Sequence, residues 1–187
     1  MVDEAQELSA MAWRLLMRRC PAKSMTLVGD VAQTGSAAGA RSWASAMAPH
    51  VGDRWRLAEL TVNYRTPAAV MRLASAVLKA AGVAADAPRS VREGDFPPVA
   101  ERIATAAGVV DGVRAELALL GEGRLAVIVP RSQAGEVFAV LAAELPEGSV
   151  ARGAVALDSP VAVLSTAEAK GLEFDAVVLV EPSGWLE

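Results

Sequence analysis

The chain opens with Val2-Asp3-Glu4-Ala5-Gln6, in which an apolar residue leads into two adjacent acids and a helical pattern begins at once. At the tip of a strand, one such carboxylate can hold Mg²⁺, a hard ion that prefers oxygen ligands. The next can orient and deprotonate a water within hydrogen-bond reach. The pair also has a plain explanation, because acids in a first helical turn complement the positive end of the helix dipole. The choice between the two depends on what accompanies the pair.

Three further stretches carry residues of the same kind. Met25-Thr26-Leu27-Val28-Gly29-Asp30 reads as a short strand ending in an acid, followed by a small-residue loop with one amide, Gln33. An amide beside a phosphate can donate to its oxygen and accept from water; the same loop can equally be plain solvent-exposed chain. Arg65 stands where a strand-like stretch, residues 57–62, meets a helix opened by Thr66 and Pro67. An arginine at such a corner can grip a phosphate bidentately or close a salt bridge. Residues 165–175 pack Ser165, Thr166, Lys170, Gly171, Glu173 and Asp175 into a turn-rich segment, which can touch phosphate and ribose or serve as a polar connection. Trp43 can stack on a base or fill a core.

The elements that must position these residues follow from periodicity. Leu8, Met11, Ala12, Leu15 and Leu16 recur at helical spacing over residues 6–19, and Pro21 stops them. The strand-helix-strand order puts the carboxyl ends of both strands on one edge, so Asp3, Glu4 and Asp30 are expected there. A second helix is expected over 41–48. A third has the face Val70, Leu73, Ala74, Val77, Leu78 and Ala81. Residues 83–100 read as an irregular segment. A helix over 110–120 precedes the continuous apolar strand Leu125-Ala126-Val127-Ile128-Val129. Ser132 is expected to cap the next helix, with face Val137, Phe138, Leu141 and Leu145. After a connection over 147–160 come strands at 161–164 and 176–180. Alternating strands and helices predict an α/β fold with a mainly parallel sheet.

Composition excludes several classes. With 187 residues, 53% of them hydrophobic, the chain can bury a core. No apolar run reaches membrane-spanning length, and no signal-peptide pattern is present. The single cysteine, Cys20, fits a reduced, cytoplasmic setting and leaves no Cys/His zinc spacing. His50 is the only histidine, so a Ser-His-Asp triad has little to draw on. A net charge of −4 lacks the overall basic footprint of a free-standing nucleic-acid binder.

Taken in order, Asp3-Glu4-Ala5-Gln6, Leu27 to Gly35, Leu60 to Pro67 and Ala169 to Val178 resemble motifs II, III, IV and V of superfamily 1 helicases of the UvrD/Rep type. The resemblance spans nearly the whole chain. Gly29-Asp30-Val31-Ala32-Gln33-Thr34 with the later Trp43, and Pro88 to Arg92, lean toward the helicase IV (HelD-like) branch. It implies RecA-like (P-loop NTPase-type) lobes with ATP and Mg²⁺ between them. Residues 1–60 would be the last part of the first lobe, and 61–187 most of the second. By carry-over, Asp3 holds Mg²⁺ and Glu4 activates water. Gln33 and Arg65 contact the γ-phosphate, Tyr64 packs beside the nucleotide and Glu173 meets the ribose. Ser165, Thr166, Lys170 and Trp43 fall on the nucleic-acid side.

The departures shape the expectation. No Gly-x-x-x-x-Gly-Lys-Ser/Thr phosphate loop is present. The chain is expected to begin inside a strand, as a fragment, and to stop before motif VI. Ala167 replaces a common His in motif V, and Ala38 stands where motif III usually has an aromatic. The implied function is one half of an ATP-dependent DNA helicase or translocase, inactive alone. Two alternatives stay open: a HelD-like ATPase that binds RNA polymerase and releases nucleic acid from it, and a binding module without catalysis.

Overall fold

The computed structural model describes residues 1–82, 88–94 and 96–185. The chain forms two compact units, residues 1–99 and 100–187. The fold is α/β, and every paired strand among the described residues is parallel. No described helix is long and apolar enough to cross a membrane.

The first unit carries helices α1 (Ala10–Arg19), α2 (Trp43–Val51) and α3 (Ala68–Ala80), with strands β1 (Val62–Asn63) and β2 (Arg89–Ser90). The helix expected over 6–19 is broken near its start. Ala5–Glu7 forms a 3₁₀ turn, and Ser9 Oγ then accepts from the Ala12 amide at 3.2 Å to open α1. Ser9 thus supplies a cap where the uninterrupted pattern needed a helical interior residue. The break turns the inward face to Trp13, Leu16 and Met17, while Met11 and Leu15 are exposed. Trp13 is buried with Ala5 and Met47, and its ring stacks on His50 at 6.1 Å.

Two expected strands contract. Residues 25–30 form a single strand bridge with the first segment, Val2 to Leu27, and Glu4 just after it takes the left-handed conformation with φ 49°. Of residues 57–62 only Val62 is in a strand, and Leu60 is 86% exposed. Thr66 does not cap α3; Pro67 is the N-cap residue and makes no side-chain cap bond. Asn63 Oδ1 fixes the corner before the helix instead, accepting from the amides of Arg65 at 2.9 Å and Thr66 at 3.0 Å. The expected irregular segment over 83–100 lies partly outside the described residues and contains β2. Helix α3 forms as its spacing dictates, yet none of its residues is buried.

The second unit holds helices α4 (Ala107–Leu120), α5 (Ala134–Glu144) and α6 (Thr166–Ala169). Its strands are β3 (Leu125–Val129), β4 (Val150–Arg152), β5 (Val161–Ser165) and β6 (Ala176–Leu179). They form one parallel sheet in the order β4-β5-β3-β6. Val129 lies beside Ser165, and Ile128 beside Leu179, so the carboxyl ends of β3, β5 and β6 share an edge. On one face, Val109, Val110 and Val113 of α4 and Val137 and Leu141 of α5 pack against Leu125, Val127, Val129, Val161 and Val163. On the other, Ala162 and Leu164 meet Ala156, Ala169 and Phe174. Each fully buried aliphatic side chain contributes about 1.5–3 kcal/mol.

Two expectations change here. The connection over 147–160 contains β4 and a 3₁₀ turn over Gly153–Asp158. Three residues are too few to show period-two alternation, and pairing with β5 creates the strand. Ser132 does not cap α5, whose N-cap residue is Gln133.

Candidate functional site

The first unit gathers the acids and amides singled out above. Val2 N–H donates to Thr26 O at 2.9 Å, Val28 N–H to Val2 O at 2.8 Å and Ala5 N–H to Val28 O at 2.9 Å. These bonds hold the two segments parallel, so Asp3-Glu4 and Gly29-Asp30 leave from the same edge. Both acids of the first pair are exposed. Asp3 Oδ1 accepts from the Glu4 amide at 2.9 Å. Glu4 adopts the left-handed conformation, φ 49° and ψ 35°, which costs a non-glycine residue about 1 kcal/mol or more.

Gln6 stands behind Glu4 and is 1% exposed. Its Nε2 donates to Glu4 Oε2 at 2.6 Å, and its Oε1 accepts from the Asp30 amide at 3.2 Å. Asp30 accepts from the Ala32 amide and from Gln33 Nε2, each at 2.9 Å. Asp30 thereby caps the 3₁₀ turn Val31–Gln33 and fixes the exposed Gln33 above it. Glu7 holds the following loop by accepting from the amides of Gly35 at 2.8 Å and Ser36 at 3.0 Å. The loop returns at Ala40, whose amide donates to Gln6 O at 2.7 Å. Gln6 and Glu7 were not among the site residues expected from sequence. Their one legible signal is position: they directly follow the acid pair, in its first turn.

The other candidates of this unit sit on different elements. Trp43 opens α2, is half-buried and packs on the Ala5, Trp13 and Met47 cluster. Tyr64 is 76% exposed. Arg65 lies in the corner between β1 and α3, where its carbonyl accepts from Arg92 Nη1 at 2.8 Å.

In the second unit, Ser165 ends β5 and is almost fully buried. Its amide and its hydroxyl both donate to Glu168 Oε2, at 2.8 and 2.6 Å. Glu168 has a lowered pKa: the Ser165 hydroxyl bond is the largest cause, then the Ser165 amide bond, with Arg131 and Arg152 adding attraction. Ser165 therefore spends its proton on starting α6. Thr166 and Lys170 stand exposed at the two ends of that turn, and Glu173 is exposed just beyond it. Arg152 also lies over the Phe138 ring, 5.8 Å from its centre.

The donor chemistry can be set against the expected Mg-nucleotide. Among the described residues no group of three His, Cys, Asp or Glu side chains could hold a metal ion by itself. Mg²⁺ in nucleotide sites takes one or two carboxylates and completes its shell with phosphate and water, so the exposed carboxylate of Asp3 is a fitting donor. No protein-family model matches this chain, and a search of curated proteins finds no match to it.

Proposed function

We propose that this chain supplies part of the ATP-hydrolysing site of a nucleic-acid motor resembling the UvrD/Rep helicases. The observation that carries the reading is the cluster in the first unit. Two parallel segments end together, and hydrogen bonds join Glu4, Gln6, Asp30 and Gln33 behind the exposed acid pair.

In this reading Asp3 holds Mg²⁺, which when bound supplies Lewis-acid charge to the phosphates. Glu4 is the general base. Gln6 engages one of its oxygens, Oε2, and orients the carboxylate. A general base must be held within hydrogen-bond reach of the water it deprotonates, so the orientation matters directly. Gln33, held by Asp30, meets the γ-phosphate, and Arg65 brings fixed positive charge to it. Tyr64 packs beside the nucleotide and Glu173 binds ribose. Thr166 and Lys170 face the nucleic acid, with Ser165 anchoring their turn and Trp43 buttressing the motif III side.

The 187 residues contain no Gly-rich Lys-Ser/Thr phosphate loop, so the reading is of a contributor to a shared site. The test is Mg-dependent ATP hydrolysis by this chain and by a longer chain restoring a phosphate loop and motif VI. Turnover is expected only in the longer chain. There Glu4→Gln should lower kcat by about 100-fold or more. Hydrolysis that survives Glu4→Gln would sink the proposal.

A further inference from the structure

We propose that Gln6 is a positioning residue that couples the Glu4 carboxylate to the segment carrying Asp30 and Gln33. The inference rests on the reading of Glu4 and Gln33 above and adds the part that joins them. Both ends of the Gln6 side chain are spent, with Nε2 on Glu4 at 2.6 Å and Oε1 on the Asp30 amide at 3.2 Å. The orientation of its amide follows from its partners, because a carboxylate only accepts and a backbone N–H only donates. The Asp30 carboxylate extends the line to Gln33 Nε2 at 2.9 Å. A continuous set of hydrogen bonds thus runs from the base to the residue assigned to the γ-phosphate.

The burial of Gln6 is what makes this line a coupling. At 1% exposure its carboxamide has no water to turn to, and an unpaired buried amide is unfavourable. The planar amide also fixes the spacing of its donor and acceptor. A shift of the Glu4 carboxylate therefore draws the Gln6 amide, and with it the Asp30 backbone. The seat is shaped for this side chain. A Cβ on Gly29 would stand 2.1 Å from Gln6 Oε1 and 3.2 Å from its Cδ. Chemistry at Glu4 and contact at Gln33 would in this way report on each other without a direct bond between them.

The test uses this chain without nucleotide, read by NMR. The probes are the Asp30 and Ala32 backbone amides and the Gln33 side-chain amide. Gln6→Glu keeps the acceptor toward Asp30 but sets two carboxylates face to face, so all three probes should move. Adding Glu4→Gln reverses donor and acceptor, since the new amide at position 4 can donate to the new carboxylate at position 6. In the double variant the probes should return toward their wild-type positions. A Gln6 held by packing alone, with its bond to Glu4 playing no part, predicts no such return. Probes that ignore Gln6→Glu, or that shift in the double variant by the sum of the single shifts, overturn the proposal. Should Gln6→Glu unfold the first unit, refolding in the double variant supports it and persistent unfolding overturns it. No hydrolysis is measured, so a failed coupling leaves the ATP-site reading to its own test.

Discussion

Gly29→Ala tests how tightly the strand end is built around Gln6. An added Cβ would meet Gln6 Oε1 at 2.1 Å, Gln6 Cδ at 3.2 Å and the Ala5 amide nitrogen at 3.2 Å. Either the side chain or the backbone must yield. If the side chain swings away, it loses its bonds to Glu4 and Asp30, each worth about 1 kcal/mol, and leaves a buried amide unpaired at about 1–3 kcal/mol. If the backbone shifts, overpacking costs about 1–3 kcal/mol and strains the parallel bonds of Val2 and Val28. The less costly route sets the observed loss, so the destabilisation should be roughly 1–3 kcal/mol. The assay is a urea titration followed by amide cross-peaks, because two units need not unfold as one transition. Cross-peaks of the first unit should disappear at lower urea. Gly112→Ala in α4 sets the opposite sign: no atom lies within 4 Å of its added Cβ. A helix interior gains about 0.5–1 kcal/mol from that change. A Gly29→Ala variant with an unchanged or raised first-unit midpoint would refute the packing argument.

Three other outcomes follow from the second unit. Glu168 has a depressed pKa, so its contribution to stability is complete above its unfolded value of about 4.3 and is lost as pH falls through the lower folded value. Glu168→Gln should therefore flatten the acid limb of stability below about pH 4.3, checked by urea midpoints from pH 6 downward (roughly the range where carboxylates titrate). Leu141→Ala removes a fully buried side chain from the face between α5 and the sheet, and should cost about 2–5 kcal/mol in the same titration. Arg114 pairs with Glu144 at 3.0 Å, with side chains 49% and 54% exposed, so Arg114→Ala should cost less than about 1 kcal/mol, measurable as a small, salt-sensitive shift.

The second unit was legible because its signals are large and redundant. Residues 125–129 form a continuous apolar run, and a strand buried on both faces needs one. The spacing of Val137, Phe138 and Leu141 has no outlet other than an amphipathic helix. β4 was not legible, since Val150–Arg152 gains strand geometry only from pairing with β5. In the first unit, pattern and structure part company more often. Residues 57–62 alternate like a strand, yet only Val62 is in one, and the apolar spacing of α3 produces a helix with no fully buried residue. Alternation states which face a strand would bury; it does not supply the neighbour. The two expected caps fail at positions where neither helix start uses a side-chain cap bond. At α3 the Ala68 amide is taken by the Arg92 carbonyl and Asn63 fixes the corner before the helix, while α5 begins at Gln133 with no side-chain cap bond.

The site divides along the same line. That Asp3, Glu4 and Asp30 share an edge follows from parallel pairing, which a strand-helix-strand order implies before any coordinate is known. The reason the edge has a definite geometry does not. It depends on Gln6 being buried, and burial of an amide cannot be read from a stretch that equally suits an exposed first turn. Two glycines carry the missing information indirectly, because Gly29 and Gly39 are the points where the chain closes on Gln6. Hydrogen bonds then turn this closeness into order. The amide satisfies Glu4 on one side and Asp30 on the other, and Asp30 satisfies Gln33. A left-handed Glu4 at the head of that line is an unfavourable conformation sustained by its surroundings. Strain of this kind persists only where neighbouring contacts over-determine the backbone, and here those contacts lead to the residue proposed as the base.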